Sequence, residues 1–121
     1  MTAKDDCYKL IQQIVMKRDV FCKYPSCFSQ SSAGHHLFKR DRLATAFLPE
    51  AVIGLCVDHH TPRWVEDPVF IDYLVAMMGE RYYELQRLSY TVVRNFDFKE
   101  CRKQLRRICA PESRDLHTCW Q

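Results

Sequence analysis

A chain of 121 residues is the size of one domain, with room for a modest core and much to gain from a metal staple. Its net charge of +3 excludes a generic polycation, and no apolar run approaches the ~20 residues a membrane span needs. Met1 is followed by Thr2-Ala3-Lys4-Asp5-Asp6, which has no apolar signal core, so the expected setting is intracellular, cytoplasmic and reducing. Seven cysteines in that setting read as thiols or metal ligands rather than as a disulfide framework.

The whole of 1–121 reads as a single domain in three stretches: an N-terminal helix over 1–20, a core over 21–64 and a helical extension over 65–121. Asp5 and Asp6, followed by Tyr8, Leu10, Ile11, Ile14 and Val15, predict a helix over 4–19 with acids at its positive end. From Val20 to Ala33 the pattern is irregular, with Pro25, serines, Cys22 and Cys27, and a metal-pinned loop is expected. His35 to Phe38 reads as a short strand, Lys39 to Arg42 as a connection, and Leu43 to Phe47 as the antiparallel return. Leu55 onwards reads as helical, which puts Cys56, His59 and His60 within about one turn. His59 and His60 then differ by about 100° in direction and serve different sites. Thr61-Pro62 closes or bends that helix.

Asp67-Pro68 opens the next helix, with Asp67 as N-cap. Phe70, Ile71, Leu74, Val75 and Met78 make its buried stripe, and Gly79 ends it. Two further helices are expected, over 80–90 and 97–108. The last buries Phe98, Cys101, Leu105 and Ile108 and turns a basic face outwards.

Cys22, Cys27, Cys56 and His59 together have the composition of a closed tetrahedral Cys3His zinc site, since thiolates with imidazole suit structural Zn²⁺. The plainer alternative is a set of core cysteines. His35, His36 and His60 remain, polar and clustered, and a structural site has no use for them. Two basic groups stand out: Lys39, Arg40 and Arg42 after the double histidine, and Lys99, Arg102, Lys103, Arg106 and Arg107 near the C-terminus. Both are candidates for neutralising phosphates, or are simply solvated faces. Cys101, Cys109 and Cys119 with His117 would make a second metal site on paper. Cys101 already fits an apolar helix face, however, and Cys7 packs in the same way, as a small hydrophobe. Trp64 and Trp120 read as core and tail anchors.

Cys22 and Cys27, then Gly34-His35-His36-Leu37, then Leu55-Cys56-Val57-Asp58-His59-His60 resemble the HNH nucleases, which are built on a small ββα-metal (His-Me finger) core, often with a zinc knuckle. The resemblance runs from Cys22 to His60 at motif level. His59 stands in place of the second knuckle cysteine. Nine residues before His60, where the family usually has Asn, this chain has Ala51.

The resemblance implies an α+β fold in which that core is flanked by an N-terminal helix and a C-terminal helical extension. It implies a metal-dependent DNA endonuclease of low sequence specificity, or selective for a DNA structure. Structural Zn²⁺ would sit on the Cys3His set, His35 and His60 would hold a catalytic Mg²⁺ or Mn²⁺, and His36 would be the general base. Because His35 and His36 are successive strand residues, a twist or bulge is needed to bring both to one site. Asp67-Pro68-Val69-Phe70 and Gly79-Glu80-Arg81-Tyr82-Tyr83-Glu84-Leu85 are similar to the helical tail of phage-type HNH proteins, including recombination proteins of the NinG sort. That implies a phage-encoded protein with phage or host recombination or replication partners. Two alternatives stand beside this reading: a zinc-stabilised DNA-binding protein that keeps the scaffold without turnover, which Ala51 favours, and a phage protein that docks on a host enzyme.

Overall fold

The first helix, α1 (Ala3–Arg18), begins in a reciprocal cap in which Thr2 Oγ1 accepts from the Asp5 amide at 3.2 Å and Asp5 Oδ2 accepts from the Thr2 amide at 3.3 Å. That arrangement satisfies two of the donors a helix start leaves open. Cys7, Ile11, Ile14 and Val15 form the buried face. The computed structural model describes residues 1–109. Among them are six helices and one two-stranded antiparallel sheet, a small α+β arrangement. None of these helices is long and apolar enough to cross a membrane. His117, Cys119 and Trp120 lie outside the described residues.

After α1 the chain makes the expected pinned loop. It is closed by the Cys22 amide donating to Ser29 O at 2.8 Å and the Cys27 amide to Tyr24 O at 3.1 Å. Strand β1 (Ala33–His36) then pairs with β2 (Val52–Leu55), with Gly34 opposite Gly54 and His36 opposite Val52.

The return strand is therefore not Leu43 to Phe47, which contributes a short helix, α2 (Leu43–Ala46), whose Thr45 and Ala46 amides bond back to Arg42 O. Alanines at 44 and 46 favour a helical turn, whereas the β-branched pair Val52-Ile53 favours a strand. All four residues of β2 are buried. Leu55 closes β2 rather than opening a helix. Cys56 to His60 is a single turn, closed by the His60 amide on Cys56 O at 3.0 Å, and Pro62 starts the short helix α3 (Pro62–Val65).

Helix α4 (Pro68–Met78) is capped by Asp67, which accepts from the Val69 amide at 2.9 Å, and it ends at Gly79 with φ of 61°, where glycine is unstrained. Helix α5 (Glu80–Ser89) and helix α6 (Phe98–Cys109) complete the described chain. Alternation along β2 divides the core in two. Ile53 and Leu55 pack with Cys22, Phe70, Leu74 and Leu85 under the cysteine loop, while Val52 packs with Ile11, Phe47 and Leu105 against α1 and α6.

On the α1 side the strands carry Gly34 and Gly54, where a Cβ would collide at Gly54 and crowd its neighbours at Gly34. One at Gly54 would lie 2.7 Å from Asp19 Cβ, and one at Gly34 would lie 3.0 Å from Val52 Cγ1. The helix comes this close because its polar side chains complete the sheet. Gln12 bonds both the amide and the carbonyl of Gly34, at 2.7 and 3.0 Å. On the far edge, Asp19 accepts from the Gly54 amide at 2.8 Å while Gly54 O accepts from the Lys23 amide at 2.9 Å. Edge groups left open in this way would otherwise invite pairing with another chain.

Candidate metal centre and histidine cleft

The cysteine loop and the turn after β2 meet at a cluster in which one ligand atom each from Cys22, Cys27, Cys56 and His59 lies within 4.8 Å of all the others. Cys22 Sγ is 3.6 Å from His59 Nδ1, Cys56 Sγ is 3.3 Å from the same nitrogen, and the sulfurs of Cys27 and Cys56 are 3.9 Å apart. A tetrahedral Zn²⁺ with bonds of about 2.3 Å to sulfur and about 2.0 Å to nitrogen requires ligand separations of roughly 3.5–3.8 Å. The donor set and its spacing fit such an ion.

The imidazole is held in place by aromatic neighbours. Tyr24 stacks flat on His59 with centroids 4.1 Å apart and planes 3° apart, and Trp64 meets it edge-on at 5.2 Å. Tyr24 in turn packs on Phe70 at 4.8 Å, so the wall reaches into the core. Burial pushes the Cys22 thiol up to about 11, while hydrogen bonding from the Ser29 backbone lowers that of Cys27. A bound cation stabilises them together as thiolates.

His60, next in the chain, turns the other way. Its ring meets that of His35 with centroids 5.4 Å apart, in a cleft of about 810 Å³ that is also lined by His36, Lys39, Arg40 and Glu66. No bulge interrupts β1 to bring the two strand histidines together. His36 is the last residue of the strand, and its ring swings to the loop, where Nε2 lies 3.0 Å from Ala46 O. A carbonyl only accepts, so Nε2 carries the proton and Nδ1 of the neutral ring keeps its lone pair. Burial pushes its pKa down from the usual histidine value and so favours the neutral ring, with the Ala46 bond opposing and the Arg40 charge adding to the effect. His35 is pushed down to about 4, by burial first and then by His60 and His36. The three histidines share the cleft but do not converge as the cysteine cluster does. Among the described residues, only Cys22, Cys27, Cys56 and His59 bring three or more ligand atoms so close.

Of the basic residues read from the sequence, Lys39 and Arg40 reach the cleft. Lys39 has φ of 68°, a left-handed turn conformation that costs a non-glycine residue about 1–2 kcal/mol. Arg40 lies over the Tyr8 ring at 4.3 Å, and Tyr8 OH donates to Arg40 O at 2.9 Å. Arg42 points elsewhere, over Tyr90 at 4.4 Å and towards Ser89 Oγ at 3.3 Å. On α6, Arg102 pairs with Asp6 at 2.9 Å, whereas Lys103, Arg106 and Arg107 face solvent; none of the four lines the cleft. Cys7 and Cys101 pack in the core between α1 and α6, as small hydrophobes do.

Tyr8, Gln12, Tyr24 and Arg18 are site-building residues that pattern reading missed. Tyr8 and Gln12 are one helical turn apart and share a face, which is the one local signal that they act together. Compared with known proteins, this chain matches no family model, no curated protein and no solved structure.

Proposed function

We propose that this protein is a metal-dependent DNA endonuclease of the HNH type, its ββα-metal core formed by β1, β2 and the helical turn that follows. The observation that carries the reading is that His35, His36 and His60 line one open cleft, near a Cys3His cluster able to hold a metal ion. His36 is the general base: neutral, with Nε2 committed to Ala46 O, it takes the proton of an attacking water at Nδ1. His35 and His60 would hold a Mg²⁺ or Mn²⁺ ion, which would supply stabilisation of charge on the departing oxygen. Lys39 and Arg40 attract the phosphates. Zn²⁺ at Cys22, Cys27, Cys56 and His59 has a structural role, fixing the turn from which His60 projects.

Ala51 bears on activity because the family's Asn helps to hold the metal loop. Here the 37–51 connection is held by other means. Tyr8 OH bonds Arg40 O, His36 bonds Ala46 O, Arg18 donates to Pro49 O at 2.8 Å, and the Leu37 amide donates to Ala51 O at 2.9 Å. These contacts support an ordered loop without the amide side chain. The second reading, a DNA-binding protein without turnover, is favoured by Ala51 itself, whose buried methyl brings no ligand.

Nicking of supercoiled plasmid in Mg²⁺ or Mn²⁺ by wild type but not by His36→Ala, with zinc content and DNA affinity retained in both, supports the enzyme. DNA binding without nicking by wild type supports the second reading.

A further inference from the structure

The cleft is one end of a longer trough. Tyr8 and Arg40 line the histidine cleft and also both depressions beside it, one walled by Lys4, Lys39 and Asp41 and the other by Lys9, Gln12 and Gln13. These shared walls make a continuous path from His36 over the solvent face of α1 to its first turn. From Gln12 to Lys4 the helix rises about 12 Å at 1.5 Å per residue, the length of roughly three to four nucleotides at 3.4 Å each.

We propose that duplex DNA entering the cleft continues along this face of α1, with one strand held through its phosphates by Lys4, Lys9, Lys39 and Arg40; this rests on the DNA reading above. Charge gives the direction. The trough offers four cations against the carboxylates of Asp5 and Asp41, and Asp5 is engaged in the Thr2 cap. The opposite rim of the cleft is apolar and acidic, with Val65, Glu66 and Ile71.

Lys4 and Lys9 are exposed and, among the described residues, neither is paired with a carboxylate. Lys4 lies near the Phe98 ring at 5.9 Å and Lys9 Nζ near Met1 Sδ at 2.9 Å. Arg102, by contrast, is neutralised by Asp6. Among the described residues the trough has no free stacking platform for a base, because the Tyr8 ring is already engaged by Arg40, by the edge of Phe47 at 4.8 Å and by His36 at 6.2 Å. Contacts are therefore to phosphate, and recognition is independent of sequence.

The test is binding of a fluorescent duplex in buffer without added Mg²⁺ or Mn²⁺, titrated with salt, for wild type, the double variant Lys4→Gln/Lys9→Gln, and Arg87→Gln on α5 as a control that removes one exposed charge away from the trough. The expected result is a slope of log affinity against log salt that is shallower by up to about 1.8 in the double variant, about 0.9 for each lost phosphate contact, with Arg87→Gln like wild type. Acetylation footprinting of the unmodified protein is the second measurement, and it should find Lys4 and Lys9 protected by duplex. Binding by wild type with an unchanged slope in the double variant and unprotected lysines overturns the strand path while leaving the nuclease reading in place. Absence of any duplex binding by wild type overturns both.

Discussion

Gln12 grips Gly34 by both ends of one peptide, Oε1 taking the amide at 2.7 Å and Nε2 giving to the carbonyl at 3.0 Å. One side chain thus does for β1 what a third strand would do. Replacing it with Met keeps the volume but leaves two partly buried backbone groups unsatisfied, at about 1–3 kcal/mol each before water repairs some of the loss. The expected outcome is a fall of several degrees in the thermal midpoint. A Gln12→Met protein that melts with wild type would mean that solvent serves Gly34 equally well.

A larger effect is expected at Arg18. Its guanidinium pairs with the fully buried Asp19 carboxylate at 2.8 Å and also donates to the carbonyls of Pro49 and Val52. Arg18→Ala leaves that carboxylate with the Gly54 amide and, as its remaining cation, the partly exposed Lys23, 3.8 Å away. Removing one partner of a buried pair typically costs about 3–5 kcal/mol. Arg18→Lys should recover only part of this, since one ammonium cannot reach three acceptors in a plane. Urea denaturation of the three proteins measures the difference.

Metal should be inseparable from folding. Protein purified without chelator is expected to carry about one zinc per chain, and Cys56→Ala or His59→Ala to lose it together with cooperative unfolding, because binding energy at a structural site is largely folding energy. Elemental analysis alongside calorimetry decides the matter. A zinc-free protein that still melts cooperatively at the same temperature would count against the site.

Alkali should weaken the contact between α1 and α6. Burial pushes the Cys101 thiol from 9.0 up to about 12, with Cys7 beside it also raised. An acid whose folded pKa is raised keeps its full contribution below the unfolded value and loses it as pH rises towards the folded one. The window here is therefore about pH 9 to 12. Cys101→Val should flatten the decline of thermal midpoint across the accessible part of that window, and native alkylation at neutral pH should spare Cys7 and Cys101.

Ala51→Asn tests the enzyme reading from the other side. Ala51 is 1% exposed, so the amide must find partners in the loop or lower stability. A rise in nicking would mark the wild type as a weakened nuclease. Failure of both proteins to cut duplex, single-stranded or branched DNA would favour the binding reading.

Much of this could be read from the chain because the signals were local. The apolar spacing of α1 and the Asp67 and Gly79 punctuation of α4 each lie within one element, and the structure has α1 and α4 where they were expected. Cys22, Cys27, Cys56 and His59 carry their own chemistry and converge as a group that could hold a metal ion, as expected. The partner of β1 was misread because strands of four residues leave little pattern. Leu43 to Phe47 and Val52 to Leu55 are both apolar, and the propensities of two alanines against one β-branched pair are a weak signal over so few residues. Arg40 and Arg42 look alike in the sequence, yet the turn at Lys39 sends one to Tyr8 and the other to Tyr90. Gln12 and Tyr8 offer only their shared helical face as a signal, since their roles depend on Gly34 and Arg40, more than twenty residues away.

The cysteine cluster joins positions 29 residues apart, Cys27 and Cys56, and both strands with their connection lie inside that span. Ring closure has an order-of-events consequence. Entropy charges for loop closure in proportion to the logarithm of loop length, and non-local strand pairing is slow because that cost precedes any reward. A cation captured first by the thiolates meets the cost once for everything enclosed, after which β1 needs only to find β2 within a small ring. Refolding of this chain should accordingly speed up with free zinc concentration until capture is no longer the slow step, and strand pairing should follow at a rate that zinc no longer alters.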